Sequence, residues 1–256
     1  MNRSINNGGL DVPRTRIGLT IAALLLLPFA VACGGQKEAA AILAPLDAHN
    51  FGDSAHITNN WLPYQVGSKY VYQGQIRNIP QVVETLVTQE TRNIAGVEAR
   101  VIWDRDIDNG QLVEETRDYV AQDKQGNVWY MGETTTHYVN GQLTDHADTW
   151  VAGEKGARAG ILMPANPKVA SRPYQTEYAK NVAEDRVRVM AMNQSVCTPL
   201  KCFQGALKVE DTSPLDPGAI EHKFYVPGVG LVKSIIVQGD TEESNLVSVT
   251  PAPARL

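Results

Sequence analysis

Val97-Glu98-Ala99-Arg100-Val101-Ile102-Trp103-Asp104-Arg105-Asp106-Ile107-Asp108-Asn109-Gly110-Gln111-Leu112-Val113-Glu114-Glu115-Thr116-Arg117-Asp118-Tyr119-Val120 is the stretch that decides the fold. Two strand-like runs, Val97 to Ile107 and Leu112 to Val120, flank Asp108-Asn109-Gly110, and Asn-Gly between such runs is the strongest short hairpin signal. A two-residue turn places Ile107 opposite Leu112 and Arg105 opposite Glu114, an opposite-charge cross-strand pair. The same residues also begin as a calcium loop does. Asp104, Asp106 and Asp108 alternate, and Glu115 stands at the twelfth position. The glycine falls one place late, however, and a calcium loop and a two-residue hairpin exclude one another. The apolar pair Ile107 and Leu112 favours the hairpin.

Working outward, the same grammar repeats. Val71 to Ile76 and Val82 to Thr88 precede the hairpin as strands. Asp123 to Gly126 is a turn before the run Val128-Trp129-Tyr130-Met131. Asn140-Gly141 joins Thr134–Val139 to Leu143–Val151. Gly153 to Pro167 reads as a long Gly/Pro-rich loop with its own packing at Ile161-Leu162-Met163. Strands resume at Arg186–Val196, Phe203–Val209, His222–Val226, Leu231–Val237 and Leu246–Val249. Glu177 to Asp185 is the one helical candidate outside the first 33 residues. The reading is an all-β chain, an antiparallel meander of about eleven strands. That is too many for one flat sheet, so a strongly curved sheet, half-barrel or sandwich is expected.

The N-terminus says where the chain goes. Arg14 and Arg16 precede an apolar run, Ile17 to Val31, of about 15 residues, short of the ~20 a membrane-crossing helix needs. Small Ala32 then precedes Cys33. That order is a secretory signal, and Cys33 looks like the lipid acceptor of a bacterial lipobox. The expected organisation is a signal peptide (1–32), a lipidated Cys33 with a polar tether (33–44), one all-β domain (45–250) and a short tail (251–256). Without residues 1–32, which hold Arg3, Arg14, Arg16 and Asp11, the 23 basic and 28 acidic residues become 20 and 27. No basic block survives, so neither a nucleic-acid partner nor a polybasic contact with lipid head groups is expected. Membrane contact falls to the lipid alone. Gly34 after the cysteine, in a host with two membranes, points to the outer membrane, facing the periplasm. Cys197 and Cys202 flank a short loop between two strands and are expected to form a structural disulfide, as suits an oxidising compartment.

Three stretches carry a resemblance: Asp123-Lys124-Gln125-Gly126-Asn127-Val128-Trp129-Tyr130-Met131-Gly132-Glu133, Met163-Pro164-Ala165-Asn166-Pro167 and Tyr225-Val226-Pro227-Gly228-Val229-Gly230-Leu231-Val232. Together they resemble an uncharacterised family of secreted and lipid-anchored bacterial envelope proteins, over roughly Ile57 to Val249. The resemblance implies an all-β envelope domain with no assigned activity. At the level of fold the chain is also distantly similar to curved-sheet lipoprotein carriers of the LolA/LolB type, but it lacks their clear helices.

Standard catalytic signatures are missing: no Gly-x-Ser-x-Gly, His-Glu-x-x-His, P-loop or dinucleotide fingerprint is present. If Asn140-Gly141 is a simple two-residue turn, His137 faces Thr144, Thr135 faces His146 and Glu133 faces Asp148. Glu133, His137, His146 and Asp148 then share one face, a donor set for zinc or a similar metal. The two histidines would sit diagonally, with backbones ~7–8 Å apart, which suits a solvated polar face better than a dedicated ligand pair. The expectation is therefore a non-catalytic, lipid-anchored envelope protein without a cofactor, binding a small apolar ligand or an envelope protein. The alternatives are a metal-dependent hydrolase or a calcium-binding envelope protein. A curved sheet has a concave face, where aromatic residues and a few polar groups could line an apolar pocket.

Overall fold

Asn109 and Gly110 take φ of 48° and 78°, and Asn140 and Gly141 take 51° and 76°. Both Asn-Gly pairs therefore make the two-residue turn whose twist matches flanking strands. The computed structural model describes residues 40–170 and 172–251. The expected signal and Cys33 lie outside the described residues, as does most of the tail. In chain order the strands are β1 (Lys69–Ile76), β2 (Ile79–Ile94), β3 (Val97–Asp108), β4 (Gln111–Gln122) and β5 (Val128–Val139). There follow β6 (Gln142–Asp145), β7 (Trp150–Val151), β8 (Arg158–Met163), β9 (Tyr174–Gln175) and β10 (Glu177–Tyr178). The last five are β11 (Arg186–Cys197), β12 (Cys202–Thr212), β13 (Ile220–Val226), β14 (Gly230–Gln238) and β15 (Glu242–Thr250). One 3-10 turn, Ala48–Asn50, is the only helical element among the described residues.

All fifteen strands belong to one antiparallel sheet, in the order β10-β8-β5-β4-β3-β2-β1-β15-β14-β13-β12-β11-β9, with β6 and β7 also on β5. The all-β, strongly curved reading holds. The sheet's two edges, β9 and β10, are consecutive in the chain with only Thr176 between them. The segment 174–178 thus runs from one edge to the other and brings the sheet round almost into a barrel. Gly160 on β8 permits this: a Cβ there would lie 2.3 Å from the Gln175 carbonyl oxygen. Gly74 does the same where β15 presses onto β1, since its Cβ would fall 1.6 Å from the Glu243 carbonyl oxygen. Glycine inside a strand marks such close backbone approach.

Several local expectations are corrected. In the first hairpin Ile107 does face Leu112, but Val113 bulges out, so Arg105 pairs with Glu115 and Asp106 with Glu114. In the second, Thr144 is skipped and His137 faces Asp145, while Glu133 faces Trp150 of β7. Ile161-Leu162-Met163 is not loop packing but the end of β8, paired with β5 through Trp129↔Ile161 and Val128↔Met163. The run from Glu177 to Asp185 is not helical. It opens as β10 and turns at Asn181, whose φ is 62°. Fifteen strands replace eleven chiefly because β7, β9 and β10 are only two residues long.

The interior is mixed. Tyr130, Met131, Met163, Leu207, Leu246 and Val87 are fully enclosed. Yet among the described residues the buried charged groups are Asp106, Glu114, Asp118, Asp123, Glu133, Glu177, Asp185, Asp211, Glu221 and Glu242, against a single base, Lys223.

Candidate ligand site at the mouth of the barrel

The three motifs that carry the resemblance meet on one segment. Asn59, buried, donates to the carbonyls of Gly126 (2.9 Å) and Pro164 (3.3 Å) and accepts from the backbone N–H groups of Trp61 (2.8 Å) and Leu62 (3.2 Å). The Gly228 N–H donates to the Asn60 carbonyl at 2.7 Å. The Asp123 turn is itself built for this. Its Oδ1 accepts from the N–H groups of Gln125 and Asn127, and its Oδ2 from the Asn127 amide and the Trp129 indole. Asn127 in turn accepts from the Ala165 N–H at 2.9 Å. The lead-in from Asn59 to Ser68 is thus held as a preformed rim. Sequence reading found the motifs without finding that they converge.

Two hollows adjoin this rim. The larger, a cleft of about 230 Å³, is walled by Pro63, Gln65, Ser68, Tyr70, Leu200, Lys201, Phe203, Gly228, Val229, Val249 and Pro251. Lys201 stands over the Phe203 ring, 4.9 Å from its centroid, on the loop closed by the Cys197–Cys202 disulfide. The smaller, about 50 Å³, is lined by Leu62, Tyr64, Tyr72, Val83, Thr85, Asp104, Leu162, Lys223, Tyr225 and Leu231. Tyr64 and Tyr70, edge to face at 6.3 Å, connect the walls of the two. This is an aromatic-lined interior with a few polar groups, as a concave sheet face was expected to offer. The larger cleft, at about 230 Å³, falls just short of the ~300 Å³ at which drug-sized pockets begin, so it suits a small ligand.

The polar groups of the inner hollow are strongly perturbed. Burial, and then the charges of Asp104, Tyr72, Asp118 and Tyr225, push the Tyr64 phenol well above its ordinary range. Asp104 is raised to about 6, chiefly by burial, against hydrogen bonds with Thr85 and Asp118. Asp106 is also raised, by burial and by Glu114, Asp104, Asp108 and Glu242. On the other side, the Lys223 ammonium donates to Asp211 at 2.6 Å and sits 3.2 Å from Glu221. These two carboxylates, above all Asp211, keep it charged despite burial.

Neither metal set is assembled. Of the first set, His137 and Asp148 stay together, while His146 and Glu133 are engaged elsewhere. His137 Nε2 lies 3.3 Å from Asp148 and its Nδ1 4.0 Å from Glu114, whereas His146 Nδ1 contacts the Thr135 carbonyl oxygen at 2.9 Å. Glu133 instead accepts from the Tyr130 hydroxyl, which also reaches Asp118. The calcium set is split between sheet faces. Glu115 accepts from the Trp103 indole at 2.9 Å and the Tyr138 hydroxyl at 2.9 Å on the outside, while Asp104 and Asp106 point inward. Among the described residues no three His, Cys, Asp or Glu side chains are grouped to hold a metal ion. His49, His56 and His222 join no such group either.

No family model matches the chain, and no curated protein matches it. Among solved structures it is similar to a candidate exported protein with a YmcC-like fold from Bacteroides fragilis NCTC 9343. The identity is 14%, the TM-score 0.41, and the match covers 75% of this chain and 100% of that one. It is also similar to a candidate lipoprotein from Parabacteroides distasonis ATCC 8503, at 14% identity and a TM-score of 0.39, over 75% of this chain and 99% of that one. At this overlap neither likeness says what the present chain binds.

Proposed function

We propose that the protein is a non-catalytic binding protein of the cell envelope, tethered by lipid at Cys33, that holds a small apolar ligand in the cleft at the barrel mouth. The observation that carries this reading is the cleft of about 230 Å³, whose walls are largely apolar and whose rim is fixed by hydrogen bonds rather than left to fold on binding. A preformed concave site spares the ordering cost of binding. The lipobox and the disulfide support an exported location, because disulfides persist in oxidising compartments. The test is uptake of a fluorescent apolar probe, with native mass spectrometry of protein taken from the envelope. Probe binding lost on Val229→Glu, with the melting temperature retained, is expected. Absence of any uptake or co-purified ligand overturns the apolar-ligand reading and leaves an envelope protein as the partner. Stoichiometric zinc by elemental analysis, with activity that follows the metal, overturns the non-catalytic reading.

A further inference from the structure

The inner hollow is distinct from the rim cleft, and the chemistry of its lining differs. It is walled by three tyrosines, Tyr64, Tyr72 and Tyr225, from the rim, β1 and β13, with Asp104 of β3 at its edge. The Asp104 carboxyl reaches Thr85 and Asp118, but its Oδ1 atom is shut off from solvent and has no hydrogen-bond partner in the protein. A carboxylate oxygen left in that state costs about 1–3 kcal/mol or more, so a donor or a cation is its natural complement. The base that shares the cavity, Lys223, is already matched by Asp211 and Glu221. Beyond them the interior carries Asp106, Glu114, Asp118, Glu133 and Glu242 with no further buried base among the described residues. Buried acids therefore outnumber buried bases in the described interior.

We infer that this hollow binds a small organic ammonium, a methylated amine or a quaternary head group, between the tyrosines and Asp104. Aromatic walls and a carboxylate together are the arrangement that recognises such cations, because the ring faces attract positive charge and tolerate methyl groups that cannot be hydrogen-bonded. Size agrees. A hollow of about 50 Å³ takes roughly four water-sized groups, at ~10–15 Å³ each, which matches a trimethylammonium head. A metal ion is disfavoured by the same walls, which offer one carboxylate and neutral phenols where a hard cation takes six or more oxygens.

Isothermal titration of the mature chain with tetramethylammonium chloride, and separately with tert-butanol as a neutral group of similar size, tests this. Tetramethylammonium should bind at least tenfold more tightly than tert-butanol. Asp104→Asn should abolish that advantage while leaving tert-butanol binding unchanged. If Asp104→Asn does not fold, Tyr64→Leu, on the rim, should weaken tetramethylammonium at least fivefold with the carboxylate still present. Equal binding of the two probes, indifference to both substitutions, or no tetramethylammonium binding overturns the inference. The apolar probe in the rim cleft is scored separately, so either site can fail alone.

Discussion

Asn59 is the residue through which sequence becomes site. Its one side chain satisfies two carbonyls and two backbone N–H groups, and all four belong to segments that would otherwise be independent loops. Removing it leaves buried backbone groups without partners, which costs more than the bonds contribute when made. Asn59→Ala is expected to destabilise by about 2–4 kcal/mol in denaturant unfolding. It should also open the lead-in around residues 59–68 to limited proteolysis. An unchanged midpoint with an intact lead-in would show that the rim holds without it. Asp104→Asn, by contrast, replaces a buried carboxyl with a neutral group, so its melting temperature at neutral pH should not fall.

At the scale of elements, the hairpin of β11 and β12 shows how a short staple serves the cleft. Cys197 and Cys202 face each other as the last pair of the ladder and form the disulfide, and the loop they close carries Leu200 and Lys201 to the cleft wall. So short a loop restrains little unfolded-chain entropy. Replacing both cysteines by serine should therefore cost less than the ~3 kcal/mol expected of a 15-residue loop. Probe affinity in the cleft should suffer proportionally more, because the wall loosens. A loss of stability without loss of affinity would place the staple outside the site. The paired strands were legible because alternation and Asn-Gly turns leave marks in composition. The bulges at Val113 and Thr144 were not, since a residue added to one strand of a ladder looks like any other, and each shifts every pairing beyond it. β9 and β10 are too short to show a period. The acidic interior was hidden for a different reason. Alternation is ordinarily read as apolar inside and polar outside, but β3 sends Asp104 and Asp106 inward and leaves Trp103 and Arg105 half-exposed outside. The Asp-x-Asp-x-Asp spacing was a signal of one shared face, weighed only as a calcium loop and set aside when the hairpin was preferred.

The whole molecule should respond to pH in the opposite sense to most proteins near neutrality. Burial raises Asp104 and Asp211 to about 6 and lifts Asp106, Asp185 and Glu242 well above their ordinary values. The folded state then binds more protons than the unfolded chain between about pH 4 and somewhat above 6, so stability falls as pH rises through that window. The melting temperature is expected to be higher at pH 5 than at pH 7.5. His222, lowered from 6.5 by burial and Lys208, opposes this gain. Glu84 and Glu243, lowered by hydrogen bonds from Lys69 and Lys233, reverse it below about pH 4.5 as they protonate. A melting temperature that climbs steadily from pH 5 to 7.5 would refute the picture of strained acids. At the same scale, Cys33→Ser should move the protein from the membrane to the soluble fraction or block its maturation. Fractionation unchanged by the substitution would reject lipid tethering.

The pairing of β1 with β15, Tyr70↔Val249 through Ile76↔Glu242, joins the first strand of the sheet to the last. Most other long ladders can zip up from a local turn as soon as their two strands exist. This one cannot form until β15 has been made, because its partners lie about 170 positions apart in the chain. Until then the chain waits as two open halves, β1 to β8 and β11 to β14, each with a bare edge that invites wrong partners. Folding time is governed by that last meeting, and a chain shortened by its final strand would be left permanently ajar.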